Sequence, residues 1–289
     1  MKQKIIIAMA GLALLTACTR RQPQRQRAGK IRMEAYVKCT PVKDQGRSDL
    51  CWVYAMLATI ESERLMMGDS VNLSPAFVAR MMMREQATDY YFSREKHPIS
   101  LRGMASMTLR YMEKYGMQPY TFEEEKHPAD YGTLCRKAMF MGNEAIAHRT
   151  GPDNYLARLD NLLDEETDFS PLRFVHMLGA EYTTLQFARS VCLPGDYLSL
   201  TSFTHHPFFR SFELETPDNR LRDTFYNLPL DTLMAHIRQA LRTGHPVCWE
   251  GDISEPGFRS PVNGCLVTEK EEGHTATQQE RQRAFDRLL

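Results

Sequence analysis

Charge of neither sign dominates this sequence: 36 basic residues meet 36 acidic ones, so no global field draws nucleic acid to it. The apolar run that opens the chain, "IIIAMAGLALL", stops at eleven residues, too short to cross a bilayer. None of the seven cysteines falls in a CxxC pair, and they form no dense framework, so their spacing indicates neither a cysteine zinc site nor a disulfide scaffold. Tryptophan occurs only at positions 52 and 249, and no internal repeat is present. What remains is a chain of 289 residues, 43% apolar and 25% charged, long enough for one large domain or two small ones with a full core.

The first residues address the chain. "MKQK" is a short basic segment, the apolar run follows, and "LTAC" ends at Cys18. The length suits a signal-peptide core, and the small residues before Cys18 resemble the lipobox of bacterial lipoproteins. That resemblance implies removal of residues 1–17, lipid on the Cys18 sulfur and acylation of the new amino terminus, enough acyl chain for stable anchoring. Thr19 rather than an acidic residue follows, which by the bacterial sorting pattern favours the outer membrane. The plainer alternative is an ordinary secretory signal in which Cys18 is incidental. Residues 18–34, "CTRRQPQRQRAGKIRME", read as a basic, flexible tether. Residues 35–289 form the folded domain.

Within that domain, residues 51–67 contain no glycine or proline, and Ala55, Leu57, Ala58, Ile60 and Leu65 recur at helical intervals. Ser48 or Asp49 is expected to cap this helix and Gly68 to end it. Trp52, Ala55, Ile60 and Leu65 are expected to be buried. Ser74 followed by Pro75 marks a second helix, and "LRGMASMTLRYMEKYGM" a third that ends at Gly116. Residues 117–135 read as loop, and 153–193 as helical stretches mixed with turns. "YLSLTSF" (197–203) and "PVCWEGD" (246–252) have the bias of strands. Between them lies a helix bounded by Asp231 and Gly244, and "TATQQERQRAFDRLL" has a helical pattern. Helices first and strands later predict an α+β fold.

The chemistry concentrates in "PVKDQGRSDLCWVYA". A thiol at a helix start is favoured as thiolate by the positive end of the macrodipole. Acyl transfer also creates an oxyanion, and Gln45, six residues back across a turn containing Gly46, can offer a side-chain amide beside the backbone N–H of Cys51. The alternative for Cys51 is a small buried hydrophobe, and for Gln45 an exposed loop amide.

These residues resemble the nucleophile segment of papain-like cysteine peptidases, whose Cys-Trp signature is characteristic. "LSPAFVAR" and "RGMASMTLRYMEKYGMQPY" resemble the helix starts that follow in that family, and "YLSLTSF", "YNLPLDTLMAHIRQAL" and "GHPVCWEGD" are similar to its bleomycin hydrolase and aminopeptidase C branch. The resemblance spans most of residues 35–286 and is most specific over Gln45–Ala55. It departs at Asp49 and Leu50, which replace small residues, at Ser48, which stands where many secreted members carry a cysteine, and at Arg102, which leaves Gly103 without a paired glycine. It implies a papain-like α+β fold, an aminopeptidase-like activity through a Cys51 thiol ester, Gln45 in the oxyanion hole, peptide substrates, a homo-oligomeric assembly, and no cofactor or metal.

A cysteine peptidase also needs a histidine beside the thiol. The family carries it late, on a strand, with an Asn-Ser-Trp segment beyond; no Asn-Ser-Trp occurs here. Among the nine histidines, His97, His127 and His245 each precede proline, and His148, His176 and His236 have no strand context. His205 and His206 precede Pro207 in a loop, where metal binding is the rarer reading. His274, in a polar turn, is left as a candidate base, but the simpler reading is that the base is missing and its identity unknown. The sequence stops at Leu289 in a helical pattern without a cap, so the chain reads as truncated, its helical domain complete and its β-rich domain curtailed, and is expected to turn over peptides near background. Two other readings stand beside the peptidase: a catalytically silent lipoprotein that binds peptides or a partner in the same cleft, and a thiol transferase or amidase on the same scaffold.

Overall fold

The computed structural model describes residues 33–121, 129–167, 169–177, 179–251 and 277–280. The elements below belong to one unit, Ala35–Leu289. Helix α1 (Cys51–Met66) is followed by α2 (Pro75–Ser93), α3 (Ala105–Tyr115), α4 (Tyr131–Ala147) and α5 (Pro152–Thr167). A hairpin of β1 (Val175–Met177) and β2 (Ala180–Tyr182) leads into α6 (Thr184–Val191). Strands β3 (Leu200–Thr201), β4 (Ser211–Glu213) and β5 (Thr224–Asn227) then precede α7 (Leu230–Arg242). Helix and sheet are both present, as an α+β chain requires, with helix dominant.

The core sits among α1 to α6. Helix α1 buries Trp52, Val53, Met56, Leu57 and Ile60, a stripe spaced one turn apart. Ala55 and Ala58, expected at helical intervals with that stripe, lie on the opposite, exposed face, and Leu65 is only half-buried. The two alanines fit a helical period but offer too little apolar surface to compete with Trp52 and Met56 for the core. Neither Ser48 nor Asp49 caps α1; Leu50 occupies that position, and the Ser48 hydroxyl turns back to donate to the Gln45 carbonyl at 2.7 Å.

Helix α2 starts as its sequence predicts: Ser74 Oγ accepts from Phe77 N at 3.0 Å, with Pro75 in the first turn. Helix α3 ends at Gly116, whose φ of 91° suits glycine, and a Cβ there would lie 2.3 Å from the Thr184 backbone. Residues 131–135, expected as loop, open α4 instead. Asp130 accepts from Thr133 N at 3.0 Å and supplies the start that the surrounding punctuation obscured. Arg80 of α2 clamps α5 through Asp160 (3.0 Å) and Asp164 (2.6 Å).

The second sheet has the order β3-β5-β4, with β3 parallel and β4 antiparallel to the central β5. The strand expected over 197–203 shrinks to Leu200–Thr201. Residues 246–251 form no strand; they run as extended coil with Val247 and Cys248 half-buried, so their apolar bias reflects packing rather than pairing. Helix α7 begins at Leu230, so Asp231 lies in its first turn and not at its cap; Gly244, with φ of 89°, follows its end. The helical pattern over 275–289 lies almost wholly outside the described residues.

Candidate active site

Cys51 is the first residue of α1 and its side chain is exposed. The residue before it, Leu50, is fully buried and fixes the start: its carbonyl accepts from Val53 N (2.9 Å) and Tyr54 N (3.1 Å). The Cys51 and Trp52 amides that precede these two have no intrahelical acceptor, so positive potential gathers where the thiol sits.

Trp52 locks this helix end into the core. Its indole N–H donates to the Leu101 carbonyl at 2.9 Å, and its ring lies against Gly103. A Cβ on Gly103 would stand 2.6 Å from the indole Cζ2, so glycine is what lets the two segments touch. The neighbouring Arg102 forks onto both carboxylate oxygens of Asp218 at 3.0 and 3.1 Å. Farther along, Glu250 accepts from Ala105 N at 2.8 Å and so satisfies the otherwise uncapped start of α3. A pocket of about 200 Å³ opens beside this wall, lined by Asp49, Ile99, Leu101, Tyr131, Cys135 and Arg136.

Gln45 belongs to a tight turn. Gly46 has φ of 58°, and its N–H donates to Asp44 Oδ1 at 2.8 Å. The Gln45 side-chain amide donates one hydrogen to the Ser48 carbonyl at 3.4 Å, which leaves it a second hydrogen. The segment is anchored from below by Glu61, a fully buried carboxylate on α1. Glu61 accepts from Thr40 Oγ1 (2.5 Å), Lys43 Nζ (2.5 Å) and the Leu73 N–H (2.6 Å). Ser62 also donates to the Lys38 carbonyl.

The other thiols sit in different surroundings. All five cysteines in the described residues are free. Burial pushes the Cys135 and Cys248 thiols up to about 11 and that of Cys192 up to about 12, so none of these three is a thiolate near neutrality. Cys39 and Cys51 are exposed, and of these only Cys51 stands at a helix start.

No hydrogen bond joins a histidine to Cys51 among the described residues. His97 pairs with Asp89 (2.7 Å), His148 with Glu144 (3.4 Å) and His176 with Glu181 (3.8 Å). His245 pairs at 2.9 Å with Glu63 on α1, three turns from Cys51 and about 18 Å along the helix. His205 and His206 both meet Glu215, at 3.0 and 3.2 Å. Cys18, His127, Cys265 and His274 lie outside the described residues.

Sequence reading missed the Glu61 anchor, the Glu250 cap and the convergence on Glu215. The first two join residues 12 to 145 positions apart and the third spans only nine and ten, across a strand; only an acidic residue inside an apolar helical stripe, as at Glu61, gave any signal. Compared with known proteins, the chain matches no family model and no curated protein sequence.

Proposed function

We propose that the protein is a cysteine-type peptidase of papain-like build, aminopeptidase-like, in which Cys51 is the nucleophile and Gln45 an oxyanion donor. The observation that carries the reading is the position of Cys51: an exposed thiol on the first residue of a core helix, beside a tryptophan held by Leu101 and Gly103. The thiolate attacks a peptide carbonyl, forming the S–C bond and placing negative charge on the oxygen. The second Gln45 hydrogen and the Cys51 backbone N–H are the donors for that charge. Collapse breaks the C–N bond as the amine takes a proton from water, and a water-derived hydroxide then hydrolyses the thiol ester, releasing the carboxylate and restoring the Cys51 thiol.

A second reading is a silent peptide-binding cleft on the same scaffold. It is favoured by the pairing of His97, His148, His176, His205, His206 and His245 with carboxylates rather than with Cys51. The two are separated by leaving group. A phenolate departs without a proton, whereas an amine requires one, and acid–base assistance is worth about 10²–10⁴-fold. The full chain and Cys51→Ala are compared on an activated nitrophenyl ester and on short peptides. Cys51-dependent release from both supports the peptidase. Release from the ester alone supports the binding cleft, and no Cys51-dependent ester burst removes the nucleophile.

We also propose that lipid on Cys18 anchors the protein to a bacterial envelope membrane, the outer one by its Thr19. Among the described residues no helix is long and apolar enough to cross a membrane. Cys18→Ser is expected to release the protein from the membrane fraction or leave its leader uncleaved. Fractionation and migration identical to wild type would remove the anchor.

A further inference from the structure

The loop after β3 carries two adjacent histidines, and both imidazoles turn toward one carboxylate. Nε2 of His205 lies 3.0 Å and Nε2 of His206 3.2 Å from the same oxygen, Oε2 of Glu215. The three ligand atoms all lie within 4.8 Å of one another. A tetrahedral zinc ion with bonds of about 2.0–2.1 Å spaces its ligand atoms about 3.3 Å apart. The two nitrogen–oxygen separations are already within a few tenths of an ångström of that edge.

The site is held in place from beneath. Asn227, fully buried on β5, donates its side-chain amide to the carbonyls of Phe203 (2.9 Å), His206 (3.0 Å) and Pro207 (3.2 Å), and accepts from Phe203 N at 2.8 Å. That single side chain fixes the backbone on both sides of the histidine pair. Phe212 of β4 holds the rings: His206 stacks on it with centroids 3.8 Å apart and planes 19° apart, and His205 meets it edge-on at 6.2 Å. On the carboxylate side, buried Asn219 donates to the carbonyls of Leu214 and Asp223, both at 2.9 Å, and so fixes the segment that leaves β4 through Glu215. Ligands supported in this way by buried outer groups are what a metal centre requires.

We propose that His205, His206 and Glu215 bind a zinc-type divalent transition ion through two imidazole nitrogens and one carboxylate oxygen, leaving a coordination position for water. Two nitrogens and one oxygen suit zinc, cobalt or nickel and are too nitrogen-rich for magnesium or calcium. Without metal, each Nε2–H donates to the carboxylate, and these bonds hold the Glu215 carboxyl below the usual range. With metal, the Nε2 lone pairs go to the ion and each ring carries its proton on Nδ1. The ion then ties the loop after β3 to the segment beyond β4, across the central strand.

The test uses the full chain with exposed thiols capped by iodoacetamide, so that sulfur ligands do not compete. Cobalt(II) titration reads the coordination through its visible d–d absorption. One equivalent should bind, with absorption of four- or five-coordinate cobalt and no thiolate charge-transfer band, and zinc should displace it. Loss of an outer-shell partner alone costs about 10–100-fold in metal affinity, so His206→Ala and Glu215→Gln should each weaken binding about 100-fold. Zinc should raise the melting temperature of wild type and not that of either variant. Glu215 is exposed, so Glu215→Gln is expected to melt as wild type does without metal. Failure of wild type to bind cobalt, or equal binding by the His205→Ala, His206→Ala double variant, would overturn the proposal.

Discussion

Cys135 and Cys51 show how much one thiol's surroundings decide. Cys135 is buried on α4, with Asp49 as a second, like-signed influence, and its thiol is pushed up to about 11 from an ordinary 9.0. Between those two values the unfolded chain gives up its proton while the folded one keeps it. Unfolding is then favoured by alkali, so stability is fully present below pH 9.0, falls through this window and levels off above pH 11. The slope assigned to one group is roughly 1.4 kcal/mol per pH unit. Denaturant unfolding of wild type and Cys135→Ala between pH 8 and 11 should show the wild-type curve falling more steeply by that amount, the contributions of the tyrosines cancelling in the difference. Parallel curves would mean that Cys135 is wetter than its packing indicates. The sequence distinguished Cys51 from the other thiols by its neighbours Gln45 and Trp52, but it held nothing to say that Cys135, Cys192 and Cys248 would be silenced by burial.

Elements were legible where the start signal is local. Ser74–Pro75 opens α2 with the expected hydrogen bond, and Gly116 closes α3. Helix α1 differs because its cap position went to Leu50, whose burial outweighs a side-chain cap worth about 1 kcal/mol. The strands were harder to read: β3 to β5 are two to four residues long, and each finds its partner across ten or more intervening residues. Extended coil with half-buried residues, as at 246–251, carries the same apolar bias without any pairing. The contact between α1 and the 101–103 segment gives a prediction at this scale. Gly103→Ala places a methyl within 2.6–3.1 Å of the Trp52 indole, and the ring cannot yield without disturbing its bond to the Leu101 carbonyl. Overpacking of this kind costs about 1–3 kcal/mol. The variant should fold with a lower denaturation midpoint and a reduced Cys51-dependent ester burst. An unchanged midpoint together with an unchanged burst would show that Gly103 does not fix the start of α1.

At the scale of the whole molecule, residues 33–50, the described segment before α1, form no helix or strand, yet in the proposed peptidase they present Gln45 to Cys51. Its order depends on a buried charge. Glu61 is fully enclosed, and its only cationic partner in the described structure is Lys43, itself about nine-tenths covered and lying over the Tyr120 ring. Removing one member of such a pair strands the other in a poor dielectric, typically at about 3–5 kcal/mol, whereas removing both charges is often tolerated. Lys43→Met should therefore destabilise the fold by that amount, and should free the amides of residues 38–45 to exchange faster than those of α2. Adding Glu61→Gln to Lys43→Met should recover much of the loss: Leu73 N–H and Thr40 face different Glu61 oxygens, so the amide oxygen can accept from the first while the amide nitrogen donates to the Thr40 hydroxyl. The Cys51-dependent ester burst should follow the same order: reduced in Lys43→Met, partly restored in the double variant. If Lys43→Met loses less than about 1 kcal/mol, as an exposed pair would, the anchor is solvated and cannot be what presents Gln45. If stability falls but the burst does not, the segment is fixed by Glu61 without Gln45 taking part in acyl transfer.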